Sequence, residues 1–309
     1  MSDTLFVGSE HCFVICVLET FNLVLKIICI LLGLSSGLVC AEIFGDGRHS
    51  NGIEDSRVPL AASDSSALQR FFGTLICEGR VRGTAVLLRA RGPETDRFLP
   101  VLLTAGHVVT NPNGVLASDC AYEPMVSSGD RYLVNMNEAL MSFSTVEGRN
   151  SNRSMLDEFS QDWMVAPIEF QLGWENYAIP FEVANEQMSQ RADLADSTGL
   201  FIGYDTGLNR FMVDVECSFG RLDGGSFFGN YPLLFWDDCD SVSGSSGGVL
   251  LAMREDSPTI VGIRVGNIFD TERFPKGPGP GEPFDLNANV NLSRVIDDEI
   301  LRAVQLLLE

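Results

Sequence analysis

The sequence predicts an all-β protein of antiparallel sandwich or barrel type, and three observations carry that expectation. From Phe71 onward, short apolar runs alternate with turn residues. No helical period separates those runs before the C-terminus, so parallel strand–helix–strand units are not indicated. The composition, 45% hydrophobic and 20% charged with 30 Gly and 13 Pro in 309 residues, is that of a chain with an ordinary core. A chain of this length buries roughly 75% of its unfolded surface, enough for one large domain or two small ones sharing a core.

Taken in order, Phe72–Cys77 and residues 83–90 flank Glu78-Gly79, and Phe98–Thr104 follows the Gly92-Pro93 turn. Further strands are expected at 131–134, 142–146, 163–170, 200–204, 210–217, 233–236, 248–252 and 259–265. Two stretches, 222–230 with Gly224-Gly225 and 275–283 with four Pro and three Gly, cannot form regular strands. Near the end, Leu292, Val295, Ile296, Ile300, Ala303, Val304 and Leu307 recur at helical spacing, which predicts a terminal amphipathic helix packed on the barrel. The chain carries no internal repeat of fixed period.

The N-terminus reads as an address. Lys26 precedes a charge-free apolar run from Ile27 to Ala41, shorter than the roughly 20 residues that span a bilayer. Residues 1–41 are therefore expected to be a secretory signal peptide cleaved after Ala41, with no stable membrane anchor and no lipidation at Cys40. Residues 1–22 carry Asp3, Glu10 and Glu19 and no Lys or Arg, the wrong charge for a signal peptide's start. A mis-assigned start, with translation beginning near Leu23 to Leu25, is expected. Residues 42–66 are rich in Gly, Ser, Asp and Asn and read as a linker or short propeptide, with His49 a solvated residue within it; a single domain over 67–309 follows.

Acidic residues outnumber basic ones 42 to 21, a formal charge of −21, and only Lys26 and Lys276 are lysines. That balance lacks the basic footprint which phosphate backbones require, so nucleic acid is not an expected partner. Cleavage after Ala41 leaves Cys77, Cys120, Cys217 and Cys239, an even number suited to an oxidising compartment, periplasmic or extracellular. Three pairings are possible, of which Cys217–Cys239 with Cys77–Cys120 is expected. None of the four lies in a short metal-binding spacing, so metal ligation is the lesser reading.

Three segments carry chemistry: 103–108, containing His107; 161–165, containing Asp162; and 243–249, containing Ser246 among Gly244, Gly247 and Gly248. A serine hydroxyl is a poor nucleophile at neutral pH. It needs an imidazole to take its proton and a buried carboxylate to orient that imidazole. The glycines around Ser246 offer backbone N–H groups, and those of Gly244 and Ser246 suit a developing oxyanion, each such donor being worth about 2.7–4 kcal/mol. Asp157 competes with Asp162 for the acidic role, and Ser245 with Ser246 for the nucleophile. Asp162 leads directly into an apolar strand, and the Gly-x-Ser-Gly-Gly register favours Ser246.

Thr104-Ala105-Gly106-His107 and Gly244-Ser245-Ser246-Gly247-Gly248 resemble the histidine and nucleophile motifs of trypsin-like (chymotrypsin-fold) serine proteases. The His, Asp, Ser chain order is also theirs. Asp238-Cys239-Asp240 ahead of the serine resembles the secreted bacterial, glutamyl-endopeptidase-like branch. The resemblance covers 71–308 and implies two packed six-stranded antiparallel barrels with the site in the cleft between them. It departs from animal enzymes at Gly106 and Val108, so the usual disulfide beside the histidine is lost. Ser245 stands where trypsin has the Asp that pairs with a newly released N-terminus, so activation by that ion pair is not expected.

The resemblance also places Asp240, six residues before Ser246, at the base of the primary specificity pocket, which would favour Arg or Lys in the substrate. The plain alternative is that Asp240 belongs to the Cys239 turn and points away. Arg264 falls on the pocket wall, where it would either pair with Asp240 and cancel it or bind an acidic substrate side chain. Residues 262–267 resemble the edge strand to which substrates add; the alternative is a core strand. Asn152 and Asn291 lie in glycosylation-type triplets that occur often by chance. These observations together predict a secreted, monomeric serine endopeptidase acting on polypeptides without metal or organic cofactor. A catalytically lapsed binding protein and a periplasmic quality-control protease are the rivals, the second weakened because too little chain follows Val265 for a peptide-binding domain.

Overall fold

In the computed structural model, the described residues are 55–60, 71–91, 98–110, 115–125, 130–142, 154–169, 197–222, 228–254, 257–275, 282 and 284–307. The expected signal peptide and Asn152 lie outside them. Among the described residues, no helix is long and apolar enough to cross a membrane.

The strands are β1 (Val58–Pro59), β2 (Phe72–Cys77), β3 (Arg80–Arg91), β4 (Phe98–Thr104), β5 (Cys120–Pro124), β6 (Tyr132–Leu133) and β7 (Leu140–Met141). After a short helix α1 (Met155–Phe159) come β8 (Met164–Pro167), β9 (Ser197–Asp205), β10 (Arg210–Leu222), β11 (Tyr231–Asp237), β12 (Val249–Arg254), β13 (Ser257–Phe269) and β14 (Asn289–Val295). Helix α2 (Asp298–Leu306) follows. All strand pairings are antiparallel.

The first sheet runs β6-β5-β2-β3-β4-β8-β7, an open, half-barrel arrangement of seven strands rather than the six expected. A single bridge from Val134 to Ile168 draws its two ends together. In the second sheet β10-β11-β14-β13-β12-β9 close on themselves through the β9–β10 pairing, giving a six-stranded barrel with β1 added at its side. Closure removes the exposed edges that open sheets must otherwise protect.

Local chemistry fixes several of these elements. Glu78 and Gly79 both have positive φ, 53° and 74°, which gives the two-residue β2–β3 turn a twist matching its strands. Cys77 lies opposite Cys120 on β5, and the two form a disulfide. The second disulfide joins Cys217 on β10 to Cys239 just after β11. Both expected pairings are therefore present.

Two sequence expectations change. Residues 55–60, assigned to the 42–66 linker or propeptide, enter the second barrel: Val58 and Pro59 pair with Val213 and Met212, and the Leu60 N–H donates to Phe211 O. The terminal helix is shorter than its apolar spacing suggested, because Leu292 and Val295 belong to β14, buried along its whole length between β11 and β13. Asp297, two residues beyond that strand, caps α2 by accepting from the Ile300 N–H. Ile300, Ala303 and Val304 form the buried face of α2, which lies against β8 of the first sheet. Similarly, α1 from the first half lies against β11 of the second.

Candidate active site

β4 ends at Thr104, and a single 3-10 turn, Gly106–Val109, follows. Val108 and Val109 anchor that turn in the core, which leaves the His107 side chain 25% exposed. On the other side, α1 is held by a reciprocal capping box between Ser154 and Asp157 and by buried Leu156 and Phe159. Asp157 is thereby a helix-capping group rather than a partner of the histidine. The chain leaving α1 carries Asp162, 1% exposed, two residues before β8 starts at Met164.

Asp162 grips His107 at two points. Its Oδ1 accepts the His107 backbone N–H at 2.8 Å, and its Oδ2 lies 2.6 Å from the imidazole Nδ1. A carboxylate only accepts, so the shared proton sits on Nδ1 and Nε2 keeps its lone pair. Burial opposes the charged imidazolium, whereas the Asp162 charge and hydrogen bond favour it; the balance lifts the His107 pKa above its ordinary value.

Ser246 lies in the loop between β11 and β12. Gly244 and Gly247 there adopt φ of 95° and 77°, conformations that side chains rarely take. A Cβ on Gly247 would collide with Thr84 O and Thr104 Oγ1, so the absence of a side chain lets this loop press directly on the segment leading into His107. Among the described residues no hydrogen bond joins the Ser246 hydroxyl to His107; what meets is the Gly247 backbone with Thr84 O, Thr104 Oγ1 and the Ala105 N of the segment before the histidine.

The loop's N–H groups divide into two sets. Those of Ser245, Gly247 and Gly248 donate to the carbonyls of Val242, Arg264 and Ser245. Those of Gly244 and Ser246 donate to no carbonyl among the described residues. Ser245, the rival nucleophile, is 2% exposed, and its Oγ accepts the Val242 N–H at 3.2 Å.

The two pocket candidates are both fully buried. Asp240 turns to the N-terminal segment: its Oδ2 accepts the Ser56 N–H at 2.6 Å and the Ser56 hydroxyl at 2.8 Å. The pairing of Arg264 with Asp240 is not formed. Arg264 instead pairs with Asp237 at 2.6 Å and stacks over Phe201 at 4.5 Å. Strand register explains this, since Arg264 lies opposite Ser293 on β14, and Ser293 Oγ donates to the same carboxylate. Burial raises the Asp237 pKa, and the hydrogen bonds from Arg264, Ser293 and the Cys239 N–H pull against that rise.

Asn291 is buried in β14 and donates to Cys239 O, so it is no acceptor for a glycan in the folded chain. Sequence reasoning missed Thr84 and Ser56, whose partners lie 160 and 184 residues away. Among the described residues, no three His, Cys, Asp or Glu side chains gather where a metal ion would be held.

A double antiparallel barrel with a His–Asp pair and a glycine-rich serine loop is the architecture of trypsin-like serine proteases, and the chain has that fold. It is similar to a Glu endopeptidase solved in complex with MPD, at 14% identity and a TM-score of 0.56, covering 86% of this chain and 98% of that one. It is also similar to a thermostable serine protease, AL20, from an extremophilic microorganism, at 12% identity and a TM-score of 0.51, covering 78% of this chain and 98% of that one. No protein-family profile and no curated protein sequence matches it.

Proposed function

We propose that the chain is a secreted serine endopeptidase that hydrolyses peptide bonds through an acyl-enzyme. The observation that carries this reading is the two-point grip of Asp162 on His107, with the serine loop packed against the turn that holds the histidine. In the proposed reaction Ser246 Oγ attacks the scissile carbonyl carbon, and His107 Nε2 takes the hydroxyl proton. The Gly244 and Ser246 amides receive the oxyanion. His107 then returns the proton to the leaving amine, and a water molecule, deprotonated by the same nitrogen, releases the acyl group.

Strand β13 supports a place for the substrate backbone. Its pairing with β12 ends at Ile263, and Arg264 exchanges hydrogen bonds with Gly247 and Gly248 of the serine loop. Beyond it, Gly266 and Asn267 pair only with β14 among the described residues, which leaves the other edge for an added strand. The two disulfides fit an oxidising compartment, as secretion requires.

A fluorophosphonate probe and a peptide library test the reading together. The wild-type chain is expected to take up the probe at Ser246 and to cleave peptides, and Ser246→Ala is expected to lose labelling and about 10⁶-fold in kcat. A folded wild-type protein that neither labels nor cleaves would instead be a binding protein on a protease fold.

A further inference from the structure

Thr84 is fully buried at the centre of β3, in the first barrel, yet its hydrogen bonds run to the serine loop and to the strand before the histidine. Its N–H donates to Ser246 O at 2.8 Å. The hydroxyl donates to Gly244 O at 2.9 Å and accepts the Tyr204 N–H at 2.8 Å. Its carbonyl accepts from Thr104 Oγ1 at 2.7 Å. One residue thus holds the carbonyls on both sides of the Ser245–Ser246 peptide, which bears an oxyanion amide. It also holds Thr104, three residues before His107.

We propose that Thr84 is a positioning residue for the serine peptidase reaction, fixing the serine loop and the histidine turn in one register across the barrel interface. This rests on the function proposed above. The Thr84 hydroxyl sets the tilt of the Gly244–Ser245 peptide. Once that peptide and the Ser246 carbonyl are both fixed, the directions of the Ser246 N–H and side chain follow from backbone geometry. Glycine at 247 lets the two loops close on Thr84 without a side chain between them. A threonine that served packing alone would be replaceable by valine, which has nearly its shape and lacks only the hydroxyl.

The test compares Thr84→Ser and Thr84→Val with wild type, rates being expressed per folded molecule from near-ultraviolet circular dichroism. Thr84→Val is expected to lose about tenfold or more in kcat with KM little changed, and to slow fluorophosphonate labelling in proportion, one lost buried hydrogen bond being converted through the rate equation. Thr84→Ser, which keeps the hydroxyl, should stay within about twofold of wild type in both measures. If Thr84→Val yields no folded protein, Thr84→Ala replaces it, removing the hydroxyl without setting a methyl against the Gly244 carbonyl. Folded hydroxyl-free protein with wild-type kcat and labelling would overturn the proposal. So would a loss carried by KM alone, or Thr84→Ser losing as much as Thr84→Val. Those results leave wild-type activity intact and strike only Thr84, whereas an inert wild-type protein would strike the peptidase reading itself.

Discussion

The proton on His107 links the geometry of the site to pH. Its pKa is raised because the Asp162 charge and hydrogen bond outweigh the cost of burying an imidazolium. A general base must be neutral to accept a proton. Peptidase kcat/KM is therefore expected to rise with pH through an inflection above the ordinary histidine value. Asp162→Asn should move that inflection down and lower kcat by about 10⁴-fold, because an amide favours the wrong tautomer. The stability linkage has the opposite sense. A folded-state pKa above the unfolded one gives stability that is complete below the unfolded value and is lost as pH rises through the folded value. In urea titrations, the stability difference between wild type and His107→Gln should shrink over that same interval. What pointed to His107 and Asp162 in the sequence was local: a strand, a small-residue turn, and an acid before an apolar run. Thr84 had no such signal, because its partners are fixed by how two barrels meet and not by neighbours in the chain.

At the scale of elements, buried polar contacts tie the second barrel together. Arg264 of β13, Asp237 at the end of β11 and Ser293 of β14 join three adjacent strands inside the core. Removing one member of a buried ion pair leaves an uncompensated charge, so Asp237→Ala is expected to destabilise the fold by about 3–5 kcal/mol, read from chemical denaturation. The disulfides act at this scale too. Cys77–Cys120 closes a 43-residue separation between β2 and β5, and its replacement by two alanines should cost about 2–5 kcal/mol and lower Tm. Strands with a clear apolar run and a turn at each end were legible, with Phe72–Cys77 and Phe98–Thr104 matching to the residue. β14 was not. Buried on both faces, it brings Leu292 and Val295 into a spacing that continues smoothly into Ile300, Ala303 and Val304 of α2, so two elements imitate one helix. β5 was hidden for another reason, its five residues including Glu123 and Pro124, both poor strand formers.

Across the whole molecule, the N-terminal segment 55–60 is bound to the second barrel by more than the short β1 pairing. Ser56 donates its N–H to Asp240, and its hydroxyl lies 2.8 Å from both Asp240 and Asp214, its one proton shared between two carboxylates with no solvent exposure. Arg57 pairs with Asp55 and, at 3.1 Å, with Asp205 at the end of β9. Asp205 in turn accepts the Leu208 N–H in the β9–β10 turn, and Thr206 of that turn donates to Ser243 O, one residue before Gly244. The segment therefore braces both the start and the flank of the serine loop. Carboxylates buried this deeply depend on each donor they keep, since hydrogen bonds to charged groups are worth about 1.5–3 kcal/mol each. A chain starting at Asp55 retains these donors and one starting at Ala61 loses them all. Comparing the two by urea denaturation, the shorter chain is expected to be less stable by at least about 3 kcal/mol. Ser56→Ala in the longer chain should reproduce part of that loss, because it removes the hydroxyl and keeps the amide. Equal stability of the two chains would mean that Asp214 and Asp240 are satisfied without the segment, and the brace would be no more than a strand laid along the barrel wall.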